Sequence, residues 1–172
     1  SEIQNKWPLL DYGQATSQGL SRLFSLSDFV FEQSMRHEVV AQKLIEQINS
    51  NFSNAIPLFS DWCPDYLSLN EDGIMSRLRV YRQIAMTILA AKDFLHKSEM
   101  KPLMMELSKL ADQFYLIARQ WSIEQLAPRW GYAENNGERV ELIALGMGKL
   151  GGYELNFSSD IDLIFCYSAK GM

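Results

Sequence analysis

Apolar side chains recur at helical spacing through most of the first 130 residues. The clearest run, from about Asp72 to Lys97, is typical of a helix with one buried face. A second helix is predicted from Ser98, a residue type that caps helix N-termini, to Pro128, which helps to end it. The apolar stripes are Ile74, Leu78, Tyr81, Ala85, Ile88 and Leu95 in the first helix and Leu103, Leu107, Leu110, Phe114, Ile117 and Trp121 in the second.

The pattern before residue 72 is weaker but still helical. A helix start is predicted where Ser27 precedes Asp28, and a further helix is predicted from Glu38 to Ile48. The segment from Ser50 to Leu69, which contains two prolines, is predicted to be irregular or to hold one short helix. The sum is a bundle of about four to six helices.

The pattern changes after Trp130. A turn-rich linker is predicted over residues 131–139, followed by two short apolar runs at residues 140–145 and 161–167 that are typical of buried strands. The predicted fold class is therefore α+β. Residues 1–130 form a helical bundle, and residues 131–172 form the first strands and the glycine loop of a second, incomplete domain with a mixed sheet.

The composition excludes several classes of protein. Hydrophobic residues make up 47% of the chain and charged residues 22%, as in ordinary globular domains. The net charge of −5 provides no basic footprint for a phosphate backbone, so we expect no nucleic acid partner. No apolar run reaches the roughly 18 residues of a membrane span, and the distant Cys63 and Cys166 suit a reducing compartment. We expect a cytoplasmic protein that does not bind membranes.

Two aspartates near the end of the chain, Asp160 and Asp162, are the main candidates for chemistry. On a strand they would project from one face about 7 Å apart, because side chains alternate. Carboxylates held that close repel each other unless a cation lies between them, and Mg²⁺ or Mn²⁺ prefers such oxygen ligands. Aspartates alternate more often on a solvated strand edge, but the flanking apolar residues predict an interior-facing strand here. Either Ser158 or Ser159 can brace the site through its hydroxyl group.

A glycine-rich loop joins the two predicted strands. Gly148, Gly151 and Gly152 would let the backbone approach a phosphate group and direct N–H groups at it. Lys149 either contacts that phosphate or is a solvated loop lysine. A phosphate loop beside a metal-binding pair is the apparatus of nucleotidyl or phosphoryl transfer, in which two metals stabilise the attacking and the leaving oxygen.

The stretch from Gly146 to Phe165 resembles the signature of the glutamine synthetase adenylyltransferase/adenylyl-removing enzyme family. More distantly it resembles the nucleotidyltransferase superfamily that includes DNA polymerase beta and kanamycin nucleotidyltransferase. There a Gly-Ser pair precedes Asp-x-Asp, whereas this chain has Gly148-Lys149, which leaves the role of Lys149 open. Residues 26–30 and 78–82 also look like the helical region of the closer family.

The resemblance implies a function and its site residues. Asp160 and Asp162 would be catalytic and bind Mg²⁺ or Mn²⁺, with ATP or ADP and phosphate as substrates or products. The protein would add AMP to a tyrosine of glutamine synthetase or, as the motif and its helical leader favour, remove it by phosphorolysis. Nitrogen-signalling regulator proteins are implied as further partners. The residues that would shape the nucleotide and phosphate pocket are Gly148, Lys149, Gly151, Gly152, Ser158 and Ser159.

The third carboxylate that such a site would need is not expected within this stretch. The superfamily uses a third carboxylate from a later strand, and Met172 is reached ten residues after Asp162. We therefore expect no catalysis by this chain alone. The competing hypothesis is a helical module that docks a protein partner and carries a degenerate site. A nucleotidyltransferase for small molecules is disfavoured by the length of the motif, and no catalytic role is expected for Glu154.

Overall fold

The computed structural model describes residues 2–8, 10 and 12–168 and confirms the α+β class. The outer limits of the two predicted domains, residues 1 and 172, lie outside the described residues. The helical region contains α1 (Glu2–Lys6), α2 (Gln14–Leu26), α3 (Asp28–Arg36), α4 (Glu38–Asn49), α5 (Phe59–Trp62), a 3₁₀ turn (Tyr66–Ser68), α6 (Glu71–Phe94) and α7 (Met100–Trp130). It is followed by β1 (Glu134–Asn135), β2 (Glu138–Arg139), β3 (Leu142–Gly146), α8 (Gly148–Gly151) and β4 (Leu163–Tyr167).

Local hydrogen bonds explain where the helices begin. The hydroxyl of Ser27 accepts the N–H of Val30 at 3.2 Å, which confirms the predicted start of α3. In the same way the side chain of Asn70 accepts the N–H of Gly73 at 2.9 Å and caps α6. The predicted cap at Ser98 is wrong. The hydroxyl of Ser98 donates to the carbonyl of Glu99, and the extended backbone of Glu99 places the start of α7 one residue later.

A glycine rather than a proline ends α7. Pro128 lies inside the helix, which continues to Trp130, so the expectation that Pro128 stops it is wrong. Proline lacks an N–H group, but the loss of one hydrogen bond in the last turn does not break the preceding turns. Gly131 follows with φ of 71° and ψ of −176°, an extended conformation at positive φ that favours glycine and ends the helix.

Tyr81 is the centre of an aromatic cluster that joins α5, α6 and α7. Its side chain is 1% exposed, and its ring packs edge-on against Phe59 and Phe114 with centroids 5.3 and 5.8 Å away. The hydroxyl oxygen lies 2.7 Å from the carbonyl of Pro57 and 3.0 Å from Oε1 of Gln113. Burial, together with the charge of a nearby aspartate, raises the pKa of Tyr81 to about 12.

Helix α6 is buried on two sides. Tyr81, Ala85 and Leu89 belong to the apolar core that surrounds the aromatic cluster. Ile84 and Ile88 instead pack with α2, α3 and α4 in a second apolar cluster. Every residue of the range 84–91 is buried as a result. The sequence predicted a single apolar stripe, which is the pattern of a helix that contacts a core on one side only.

The strands are shorter than predicted. β3 and β4 pair antiparallel, with Gly146 opposite Leu163, and each begins two residues later than expected. The predicted linker at 131–139 instead contains the hairpin of β1 and β2, which turns through Asn136 and Gly137, both at positive φ. Asn-Gly is the preferred pair for such a turn.

The prediction of an interior-facing strand is wrong for the described structure. The side chains of Ile143, Ile164 and Phe165 are 47%, 48% and 55% exposed. A two-stranded hairpin has two faces, and α7 covers only part of them, since Phe165 contacts Tyr115 at a centroid distance of 6.2 Å yet stays half exposed. Among the described residues, no helix is long and apolar enough to span a membrane.

Candidate functional site

The chain turns sharply after β3 and packs back against the end of that strand. Gly148 opens this turn with φ of 53°, a conformation that favours glycine. A Cβ atom on Gly151 would lie 2.5 Å from the carbonyl oxygen of Gly146, so the close approach of backbone to backbone excludes larger residues. Gly152 differs, because its φ is −86° and a Cβ there would make only ordinary contacts. The backbone conformation at Gly148 and the close packing at Gly151 therefore explain two of the three glycines that were predicted to form a phosphate loop.

Asp160 and Asp162 lie just before β4 and not on it. The strand begins at Leu163, and both aspartates are exposed. The N–H of Met147 donates to the carbonyl of Asp162 at 2.9 Å, which continues the hairpin by one contact. This bond ties the second aspartate to the residue just before the glycine turn, which we define as residues 148–152. The structure therefore brings the acidic pair and the glycine turn together at one end of the hairpin.

Asn156 organises the turn that leads into the acidic pair. Its side-chain oxygen accepts the hydroxyl of Ser159 at 2.8 Å and both the N–H and the hydroxyl of Ser158 at 3.2 Å. The N–H of Asn156 donates to Oγ of Ser159 at 3.0 Å. The two serines, which were predicted to brace the site, thus serve first to hold this turn through Asn156.

Lys149 and Asp160 line different cavities. Lys149 borders a cavity of about 380 Å³ with Glu154 on one side and methionines of α7 on the other. Asp160 and Ser159 border a second cavity of about 330 Å³, into which α6 contributes Arg82. Of the predicted pocket residues, only Ser159 lines the same cavity as Asp160, and Asn156 and Phe157 border both cavities.

A polar row along α7 holds the glycine turn and the strands against the helices. The hydroxyl of Tyr153 donates to Asp112 at 3.2 Å, and the negative charge of Asp112 raises the pKa of Tyr153. Four residues of α7, spaced by four, three and four positions, make such contacts: Ser108 with Leu155, Asp112 with Tyr153, Tyr115 with Leu142, and Arg119 with Glu141.

Sequence reasoning missed this polar row. The available signal was the helical spacing of Ser108, Asp112, Tyr115 and Arg119 beside the apolar stripe of the same helix. The apolar stripe alone was used to predict α7, and a polar row at helical spacing is most often a solvated face. Nothing in the sequence itself shows that the motif packs there.

The donor set of the acidic pair fits a hard divalent cation. Mg²⁺ is commonly held by one or two carboxylates together with water and substrate phosphates, and Asp160 and Asp162 offer two exposed carboxylates. Across residues 2–8, 10 and 12–168, no group of three or more histidine, cysteine, aspartate or glutamate side chains could enclose a metal ion. An ion at this site would therefore depend on water, phosphate or further protein ligands.

Comparison with known proteins identifies relatives over most of the chain. A family model described as glutamate-ammonia ligase adenylyltransferase matches residues 17–172. A bifunctional glutamine synthetase adenylyltransferase/adenylyl-removing enzyme of Shewanella loihica is 39% identical over 158 residues, which are 88% of this chain and 16% of that protein.

Proteins of the same name from two other organisms are also similar. The one from Shewanella woodyi is 37% identical over an alignment of 177 residues, which covers 98% of this chain and 18% of the relative. The one from Alteromonas mediterranea is 46% identical over 101 residues, 59% of this chain and 10% of the relative. This chain spans less than a fifth of the length of these curated relatives.

Proposed function

The chain belongs to the glutamate-ammonia ligase adenylyltransferase family, and from that premise we propose that it supplies part of a metal-dependent nucleotidyl-transfer site. The part consists of Asp160, Asp162 and the glycine turn. The relatives are named for adding adenylyl groups to glutamine synthetase and for removing them, so we propose glutamine synthetase as the protein substrate.

The observation that carries this proposal is the hydrogen bond from Met147 to Asp162. It places the start of the glycine turn beside the acidic pair, which is the arrangement that nucleotidyl transfer requires. The observed backbone bonds of the turn begin with the N–H of Gly151, so the N–H groups of the three residues before it are those that a helical turn leaves without internal partners. We propose that the N–H groups of the exposed Gly148 and Lys149 bind phosphate oxygens, whereas Leu150 is buried.

Each part of the site has a distinct chemical task. Asp160 and Asp162 would hold Mg²⁺ or Mn²⁺, which when bound neutralises charge on the phosphate that is transferred. The glycine turn would bind phosphate oxygens through backbone N–H groups, with Gly148 at its start and Ser158 and Ser159 beside the acidic pair. Lys149 would bind phosphate from the neighbouring cavity, which shares Asn156 and Phe157 with the cavity of Asp160.

We propose adenylyl removal as the reaction to which this chain contributes. An oxygen of inorganic phosphate attacks the phosphorus of the AMP group on tyrosine, the bond from phosphorus to the tyrosine oxygen breaks, and ADP and free tyrosine result. The sequence of residues 156–162 and the helices before them resemble the adenylyl-removing enzymes of the family, and this resemblance supports the proposed direction. ATP would be the nucleotide of the opposite, adenylylating direction.

The test uses the whole protein that carries this chain, with Asp160→Asn and Asp162→Asn as separate variants. We expect each to lower phosphate-dependent release of ADP from adenylylated glutamine synthetase by at least about a hundredfold, the scale on which loss of a key electrostatic group acts. Addition of AMP from ATP should remain. Glu154→Gln is the matched control, since it removes an exposed carboxylate from the same motif and should leave both reactions unchanged.

The pattern of results separates the parts of the proposal. Normal rates of both reactions in both variants would refute the metal-binding role of the pair. Loss of AMP addition alone would assign the acidic pair to the adenylylating reaction instead. The 172-residue chain by itself is expected to release no ADP, and measurable turnover by it would contradict the need for a further carboxylate.

The regulators and the location of the protein belong to the proposed role. We propose nitrogen-signalling regulator proteins as further partners, as the resemblance to the family implies. We also propose a cytoplasmic location. The alternative of a degenerate docking module is not favoured by the family match.

A further inference from the structure

Ser108 of α7 makes a contact that reaches into the candidate site from the helical region. Its side chain is 0% exposed. The hydroxyl donates to the carbonyl of Met104, four residues earlier in the helix, at 2.9 Å. Because its hydrogen is committed to Met104, the hydroxyl oxygen is free to act as an acceptor, and it accepts the N–H of Leu155 at 3.3 Å.

This contact fixes the loop one residue before the turn that leads to the acidic pair. Leu155 is 5% exposed. Its neighbour Asn156 holds Ser158 and Ser159 through three hydrogen bonds to its side-chain oxygen and one from its backbone N–H. Asp160 follows directly. The buried Ser108 of α7 is therefore connected to Asp160 by the hydrogen bond to Leu155 and by the short, hydrogen-bonded segment of chain that follows.

We propose that Ser108 is a positioning residue for Asp160 and Asp162. This inference rests on the proposed function of the acidic pair. Ser108 touches neither substrate nor metal. It sets the backbone of the loop from Leu155 onward, and a buried N–H group that loses its acceptor is expected to pull the loop toward water. Groups that orient metal ligands commonly change metal affinity or activity by about 10- to 100-fold when they are removed.

The experiment compares Ser108→Ala with Ser34→Ala in the whole protein that carries this chain. Ser34 is a matched control, because it is also 0% exposed in a helix and its hydroxyl also donates to the carbonyl four residues earlier, at 2.8 Å. It makes no contact with the motif. Both variants lose the same atom and the same type of hydrogen bond, but only Ser108→Ala leaves the N–H of Leu155 without its acceptor.

Two measurements are made on each variant. The first is the Mn²⁺ concentration that gives half-maximal release of ADP, which Ser108→Ala should raise about tenfold while the KM for adenylylated glutamine synthetase stays unchanged. The second is amide hydrogen exchange of residues 155–162 without metal, which Ser108→Ala should speed up. Ser34→Ala should change neither by more than about twofold, since the metal-ligand loop keeps its support.

Equal behaviour of the two variants in both measurements would overturn the proposal. If Ser108→Ala does not fold, Asn156→Ala tests the same connection at an exposed position, and an unchanged Mn²⁺ requirement there also overturns it. Failure of the proposed function is recognised separately. In that case Asp160→Asn keeps its turnover, while the exchange of residues 155–162 still reports whether Ser108 holds the loop.

Discussion

The helical region and the strand region of this chain bury their apolar side chains to very different extents. In the helical region the largest fully buried side chains are Tyr81 and Phe59, each 1% exposed. In the strand region Ile143 and Phe165 keep about half of their surface in solvent. The helices form a core from their own side chains, whereas the hairpin of β3 and β4 contributes few buried residues to any core.

The difference shows how the site is held. The glycine turn and the acidic pair lie in the region with little core of its own, so their position depends on contacts with the helices. Leu150 and Leu155 are buried in the core of the helical region, and polar contacts with α7 add to this anchoring. Ser108 and Asp112 of that helix provide two of these contacts. The stability of the chain therefore resides mainly in the helices, while the geometry of the site depends on the contact between the two regions.

The largest expected effect tests the source of stability. Tyr81→Ala removes a buried ring at the centre of the aromatic cluster and should lower the free energy of unfolding by about 3–5 kcal/mol. Phe165→Ala should cost less than about 1 kcal/mol, because its ring is already half exposed. Urea unfolding of the 172-residue chain, followed by circular dichroism, measures both. Equal losses of unfolding free energy in the two variants would contradict the conclusion that stability resides mainly in the helices.

The next effect concerns the glycine turn. In Gly151→Ala the new methyl group would meet the carbonyl of Gly146, so we expect a loss of about 1–3 kcal/mol or a local distortion of the turn. Gly152→Ala is the control, since its backbone is compatible with alanine and should cost nothing. Urea unfolding and the chemical shifts of residues 146–153 report the two variants. If Gly152→Ala is the more damaging change, the close-packing account of the turn is wrong.

A smaller effect tests local control of the helices. Ser27→Ala removes the cap of α3 and should lower the free energy of unfolding by about 1 kcal/mol. Ser98→Ala should change it by less than about 0.5 kcal/mol, because Ser98 is not the cap of α7. Thermal unfolding of the two variants side by side is sufficient. A loss at Ser98 as large as that at Ser27 would restore the cap that the sequence predicted.

The last contrast appears only at alkaline pH and concerns two tyrosines. Burial raises the pKa of Tyr81 to about 12, whereas the charge of Asp112 raises the pKa of the exposed Tyr153. A raised pKa in the folded state adds stability below the unfolded value of about 10. The contribution of Tyr81 is therefore lost as the pH rises from about 10 toward 12.

Salt and pH together distinguish these causes. Added salt should lower the pKa of Tyr153 toward its ordinary value by screening Asp112, and it should leave that of Tyr81 nearly unchanged. Ultraviolet titration of Tyr81→Phe and Tyr153→Phe identifies the two groups. The fall in unfolding free energy above pH 10 should be shallower in Tyr81→Phe than in Tyr153→Phe. The reverse order would place the alkaline sensitivity in the strand region.

The sequence by itself determined the local features and the family. The cap at Ser27, the turn through Asn136 and Gly137, and the signature from Gly146 to Phe165 involve residues close together in the chain, so their types predict structure without knowledge of the fold. The α+β class followed from the change in pattern after Trp130. Both strand starts were misplaced by two residues, because the predicted runs begin before the residues that pair.

The tertiary structure decided which faces of the helices are used. The burial of α6 on two sides and the bond from Leu155 to Ser108 depend on how whole helices pack, and the second joins residues 47 positions apart. A serine on a helix looks the same in the sequence whether it faces water or holds a loop. Side chains distant in sequence meet only after the helices have packed, so the support of the acidic pair by α7 was visible only in the folded chain.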